Sequence, residues 1–108
     1  MQYILVYVTA ADRAEAERIA AAVVGERLAA CANIFGSMRS LYWWEGRVEQ
    51  GDEAVLLLKS ELNLFEALRE RVRALHSYAT PCIVALPILA GHREYLDWIG
   101  ASINRTGA

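Results

Sequence analysis

Histidine, cysteine, proline and lysine are scarce in this 108-residue chain: two, two, two and one. No C-x-x-C or H-x-x-x-H pair occurs among Cys31, Cys82, His76 and His92, so spacing alone supplies no metal motif. There is no basic tract, and the net charge of −2 argues against a nucleic-acid-binding module. No apolar run approaches the roughly 18 residues that span a bilayer. Gly25, Gly36, Gly46 and Gly51 are scattered and match neither a P-loop nor a dinucleotide fingerprint. No G-x-S-x-G occurs, and Ser37, Ser40 and Ser60 have no histidine nearby in sequence, so no nucleophile is specified and no catalysis is expected.

What is abundant is apolar: 56% of residues are hydrophobic, above the about 45–50% usual in soluble domains, while the charged fraction is an ordinary 22%. The length suits one domain spanning residues 1–108, with a single core. The excess of apolar residues implies dense packing or a surface that meets a partner. The N-terminus is apolar without a basic leader, so it reads as a strand and not as a signal peptide. A cytoplasmic, reducing location with free thiols is the corresponding expectation.

Residues 2–9, QYILVYVT, have the β-branched and aromatic character of a buried strand. Asp12 followed by Glu15 marks a helix start, and Ala16, Ile19, Ala20, Val23 and Val24 continue it to about residue 28. From Cys31 to Glu49 the pattern is β-like, with an irregularity at Gly36 and Ser37. Residues 49–52, EQGD, read as a turn, and 53–60 as the next strand. Asn63 with Glu66 predicts a second helix ending near His76, carrying Phe65, Leu68, Val72 and Leu75 on its apolar stripe. Residues 81–88 form a last strand, with Pro87 at an edge or end. Residues 91–104 form a short helix carrying Tyr95, Trp98, Ile99 and Ile103.

The order β-α-β-β-α-β-α predicts an α+β, ferredoxin-like split βαβ fold, an antiparallel sheet in the order 4-1-3-2 with helices on one face. Within it, YWWEG (residues 42–46) poses a problem. Neighbouring strand residues point to opposite faces, so Trp43 and Trp44 cannot share one core. Either a second subunit covers one of them, or the last helix folds over it.

Several segments in order resemble one family. They are LAACANI (28–34), SLYWWEG (40–46), Glu53 through Leu58-Lys59-Ser60, His76-Ser77-Tyr78, Thr80-Pro81, Leu86-Pro87 and Tyr95-Leu96-Asp97-Trp98. Together they are similar to the CutA divalent-cation tolerance proteins over nearly the whole chain. The resemblance implies a tight homotrimer, PII-like in architecture, with the Tyr42–Trp44 hairpin reaching a neighbouring subunit. It also implies association with copper tolerance and copper binding. Ser77 and Ala79 depart from the family's His-Pro-Tyr pattern, and Cys82 stands where relatives carry an acid.

Cys31, Cys82 and His76 are the candidate metal ligands. Cys31 corresponds to the family's recurrent cysteine, and thiolate with imidazole favours copper; the plainer reading of Cys31 is a small buried apolar residue. Cys31 and Cys82 fall on opposite edges of the expected sheet, about 14 Å apart at ~4.8 Å per strand, so only neighbouring subunits can bring such residues together. Met38 is a further, weaker ligand candidate. Lys59, Glu53, Tyr42, Trp44 and Tyr78 are the candidates for lining an inter-subunit cleft that takes a small anionic ligand, the alternative function of a PII-like sensor or scaffold. Against this stands a simple Lys59–Glu53 salt bridge, with His76 merely ending its helix.

Overall fold

The computed structural model describes residues 1–103, as an α+β fold with one four-stranded antiparallel sheet and three helices. The elements are β1 (Tyr3–Ala10), α1 (Arg13–Gly25), β2 (Cys31–Trp44), β3 (Arg47–Glu61), a short 3-10 turn (Leu62–Leu64), α2 (Phe65–Leu75), β4 (Ile83–Pro87) and α3 (Arg93–Ser102). Across the sheet the order is β2-β3-β1-β4, the expected 4-1-3-2.

Alternation along the strands assigns the two faces. Val6, Val8, Leu56 and Leu58 point toward α1 and α2 and pack with Ile19, Val23, Leu68 and Val72 in one core. Each such side chain contributes about 1.5–3 kcal/mol by leaving water. The opposite face carries Leu5 and Tyr7 of β1, Val55, Leu57 and Lys59 of β3, and their partners Cys31, Asn33 and Phe35 of β2. Neither α1 nor α2 covers it.

Local chemistry sets the ends of α1. Asp12 caps it by accepting the Glu15 N–H at 2.8 Å. At the other end Arg27, at φ 61°, lets its N–H reach Val24 O and that of Leu28 reach Val23 O, the Schellman pattern. This closes the helix at Gly25, three residues before its expected end. At α2 the expected Asn63 start is not realised: Asn63 lies in the 3-10 turn and Leu64 takes the cap position without a side-chain bond. β4 is shorter than residues 81–88, and the expected last residue of α3, Asn104, lies outside the described residues.

The expected turn at 49–52 is also corrected. β2 and β3 pair without a break from Met38↔Glu53 to Trp44↔Arg47, and the chain reverses at Glu45-Gly46. Both turn residues have positive φ, 50° and 81°, which suits a two-residue hairpin loop whose twist matches the strands. Gly51 lies inside β3, with the Tyr42 hydroxyl 4.0 Å from where a β-carbon would stand. The irregularity expected at Gly36 and Ser37 is a β-bulge: two residues of β2 oppose Ala54 alone, with Ser37 at φ 62°.

α3 does not fold over the hairpin tryptophans. It packs at the other end of β3, where Tyr95 meets Lys59, and Arg27 donates to Ser102 O at 3.0 Å. Trp43 is 75% exposed and Trp44 53%. Glu45 occupies a left-handed position that asparagine tolerates better. Glu45→Asn is therefore expected to stabilise the fold by about 0.5–1 kcal/mol, read as a rise in the chemical-denaturation midpoint.

Candidate functional site

Residues 76–82 join α2 to β4 without regular structure and pass the end of β1, from the helix side of the sheet to its open face. Three residues anchor this strap. His76 Nε2 lies 2.7 Å from Thr9 O, at the end of β1. Ser77 N–H donates to Glu15 Oε2 on α1 at 2.7 Å. The Tyr78 hydroxyl donates to Glu53 Oε2 on β3 at 2.9 Å, and Ser40 Oγ of β2 donates to Glu53 Oε1 at 2.6 Å.

Glu15 is 3% exposed, and its other carboxylate oxygen accepts the Ala11 N–H at 2.9 Å. Burial by itself raises its pKa; the Ala11 N–H and then the Ser77 hydroxyl and N–H outweigh burial and hold the carboxyl below its ordinary value. The effect on Tyr78 is opposite. Burial first, and then its hydrogen bond to Glu53, push the phenol up to about 12. Tyr42 stands close enough to Tyr78 to add to that shift. Within one protomer the structure thus brings Glu53, Tyr78 and Tyr42 together with Ser40.

Lys59 does not belong to this group. It lies six residues from Glu53 along β3, roughly 20 Å away, which rules out the Lys59–Glu53 salt bridge. Its Nζ is instead 3.8 Å from Cys31 Sγ and 5.3 Å from the centre of the Tyr95 ring. A hydrogen bond with Tyr95 and, more weakly, the neighbouring Cys31 raise the lysine above its ordinary value despite partial burial. Tyr95 also packs on Trp98, with ring centres 5.4 Å apart. Trp44 is separate again, at the hairpin tip, paired with Arg47. The five cleft candidates are therefore three groups within one protomer.

The metal candidates are equally dispersed. Both cysteines are free thiols. Cys31 is on the outer edge strand β2, with Asn33 Oδ1 3.8 Å from its sulfur. Cys82 precedes β4 at the opposite edge, where burial of the thiol and then Glu53 raise its pKa. Cys31 is level with Leu86 through Lys59 and Leu5, so Cys82 is offset along the strands as well as across them. His76 is enclosed within its own protomer. Its side chain is fully buried, one nitrogen faces Thr9 O and the other accepts the Tyr78 N–H at 3.0 Å, so no lone pair is left for a metal. Among the described residues no group of three or more His, Cys, Asp or Glu side chains is placed to hold a metal ion. A single protomer therefore offers the Cys31 thiol and too few companions to complete a copper site.

Glu15, Ser40 and Tyr95 are the residues that sequence reasoning missed as members of these groups. The Asp12–Glu15 capping signature was visible, but the bond from Glu15 to Ser77 spans 62 residues, which no local pattern reports. Tyr78 is expected to ionise only near pH 12 in a carbon-13 NMR titration. Glu53→Gln removes the hydrogen-bonded charge and should bring Tyr78 part of the way toward the ordinary value of about 10; burial keeps the remainder.

Comparison with known proteins places this arrangement. The family model described as CutA1 divalent ion tolerance protein matches residues 4–102. The divalent-cation tolerance protein CutA of Thermus thermophilus is 50% identical over 95 residues, covering 88% of this chain and 92% of that protein. The crystal structure of CutA1 from Oryza sativa is similar with a TM-score of 0.94 at 40% identity, covering 97% of this chain and 96% of the other. The structure of the protein named periplasmic divalent cation tolerance protein CutA from Archaeoglobus fulgidus gives 0.91 at 43% identity, covering 94% and 99%. With a match over nearly its full length in both sequence and fold, the chain belongs to the CutA1 divalent ion tolerance protein family.

Proposed function

We propose that the protein works as a homotrimer that binds copper or a related divalent ion and takes part in divalent-cation tolerance, as a binding protein and not as an enzyme. The observation that carries this reading is the position of Cys31: a half-buried free thiol on the outermost strand, on the sheet face that α1 and α2 leave open. Donors from a second copy can reach it there, whereas its own protomer supplies too few. Lys59, 3.8 Å away, has to turn from the sulfur when a cation binds.

Trimer formation is supported by the apolar surface of the isolated chain. Phe35, Tyr42 and Trp44 are exposed on the open face, and Leu41, Trp43 and Val48 on the other side of the hairpin. A soluble monomer rarely leaves such a contiguous surface in water. Among the described residues no helix is long and apolar enough to cross a membrane. Two free thiols suit a reducing, cytoplasmic location. A second reading, a small anionic ligand held as in a PII-like sensor, is favoured by the ammonium of Lys59 beside the half-exposed rings of Tyr95 and Trp98.

Native mass spectrometry of the reduced protein with substoichiometric Cu(II) tests the main reading. A trimer is expected that retains copper, and Cys31→Ser should keep the trimer and lose the metal. Equal retention by the variant removes Cys31 as a ligand. Binding of an anion that is abolished by Lys59→Ala and untouched by Cys31→Ser turns the choice to the second reading. Assembly is tested separately at the hairpin. Trp44→Ala should weaken the trimer by about 1.5–3 kcal/mol per buried tryptophan, seen as dissociation at higher protein concentration. An unchanged dissociation profile means that Trp44 lies outside the interface.

A further inference from the structure

Lys59 is the one lysine of the chain, and no carboxylate among the described residues pairs with its ammonium. The groups that face it are the Tyr95 side chain and the Cys31 sulfur. Register makes the second contact. Cys31 and Lys59 stand directly opposite each other in the β2–β3 ladder, where such pairs hold their β-carbons about 4.5–5.5 Å apart. Nζ lies 3.8 Å from Sγ. The Tyr95 ring, 5.3 Å from Nζ at its centre, holds the ammonium on this face of the sheet.

The same surroundings decide what an oxidised Cys31 can meet. A cysteine oxidised by peroxide passes first through a sulfenic acid, which condenses with a nearby thiol or nitrogen. The other thiol, Cys82, precedes β4 at the opposite edge of the sheet, with β3 and β1 between, so no disulfide closes within the protomer. Asn33 presents its amide oxygen 3.8 Å from Sγ, which is no nucleophile toward sulfur. The Lys59 nitrogen at 3.8 Å is the partner that the fold supplies. One oxygen atom spans that gap after a small turn of the lysine stem, whereas a direct sulfur–nitrogen bond demands a much closer approach.

We propose that Cys31 and Lys59 form a reversible covalent bridge, Sγ–O–Nζ, when the protein meets hydrogen peroxide. In the first step the sulfur attacks peroxide: the O–O bond breaks, an S–O bond forms, sulfur is oxidised by two electrons, and the thiol proton leaves with the other oxygen as water. In the second step the sulfenic oxygen joins the lysine nitrogen. Its O–H and one N–H bond break, an O–N bond forms, and nitrogen is oxidised by two electrons. Those two electrons and two protons reduce a second peroxide to two waters, and the ammonium's extra proton goes to solvent. A dithiol reductant reverses both steps and returns the thiol, the amine and one water. The bridge withdraws together the Cys31 thiol and the Lys59 charge, whichever ligand this end of the sheet takes.

Peptide-mapping mass spectrometry of the full-length, metal-free protein tests the bridge, after treatment with hydrogen peroxide at mildly alkaline pH, where more of the amine is free. The peptides that carry Cys31 and Lys59 should be recovered joined, heavier than their sum by one oxygen and lighter by two hydrogens. Dithiothreitol should separate them and restore both masses. Lys59→Arg keeps a cation beside the sulfur but has no amine to bridge, so the joined species should disappear and Cys31 should be found as sulfenic or sulfinic acid. Cys31→Ser should leave Lys59 unmodified. The proposal is overturned if wild-type Cys31 is oxidised while Lys59 stays free, or if the joined mass survives in Lys59→Arg. Should Cys31→Ser fail to fold, the wild-type linkage, its reversal and its loss in Lys59→Arg decide.

Discussion

The β2–β3 ladder is longer than anything laid against it, and the rest of the molecule follows from that mismatch. β1 pairs with β3 only as far as Ala10↔Ala54, whereas β2 and β3 continue to Trp44↔Arg47. The sheet therefore narrows to a two-stranded ribbon. A ribbon of two strands is marginal in water by itself, and this one is rich in exposed aromatic residues on both faces. The proposed assembly gives those residues a reason that a lone protomer lacks.

The bulge at Gly36-Ser37 sits opposite Ala54, where the support of β1 ends. Its extra residue shifts the alternation of everything that follows in β2. Met38, Ser40, Tyr42 and Trp44 come to share a face with Glu53, and Leu41 and Trp43 go to the other side. Without the bulge, Ser40 would point away from the carboxylate that it now donates to at 2.6 Å. The hydrogen-bonded group on the open face is in this sense a product of one inserted residue.

The strap after α2 closes that group from the other direction. Within three residues it bonds α1 through Glu15, β1 through Thr9 and β3 through Glu53. Ser77 supplies the N–H that Glu15 accepts, a bond that a proline at this position could not make. At the far end of β3, Lys59, Cys31 and Tyr95 form a separate group, so a single cleft combining lysine, glutamate and tryptophan does not exist within one protomer.

The order of elements, the antiparallel sheet and its strand order were legible in the sequence, because apolar alternation and helical spacing are local signals and few topologies fit β-α-β-β-α-β. Asp12 as a cap and the irregularity at Gly36-Ser37 were legible for the same reason. The hairpin turn was not: Gln50-Gly51-Asp52 has turn composition, yet cross-strand pairing holds it extended and leaves Glu45-Gly46 to reverse the chain. The sequence by itself determined the apolar alternation and helical stripes that build the core, among them Val6, Val8, Ile19, Val23, Leu68 and Val72. Only the tertiary structure decided which polar side chains meet, since the register past the bulge and the path of residues 76–82 join groups as far apart in the chain as Glu15 and Ser77. Periodicity is set by neighbours along the chain, whereas hydrogen-bond partners are set by where distant segments come to rest.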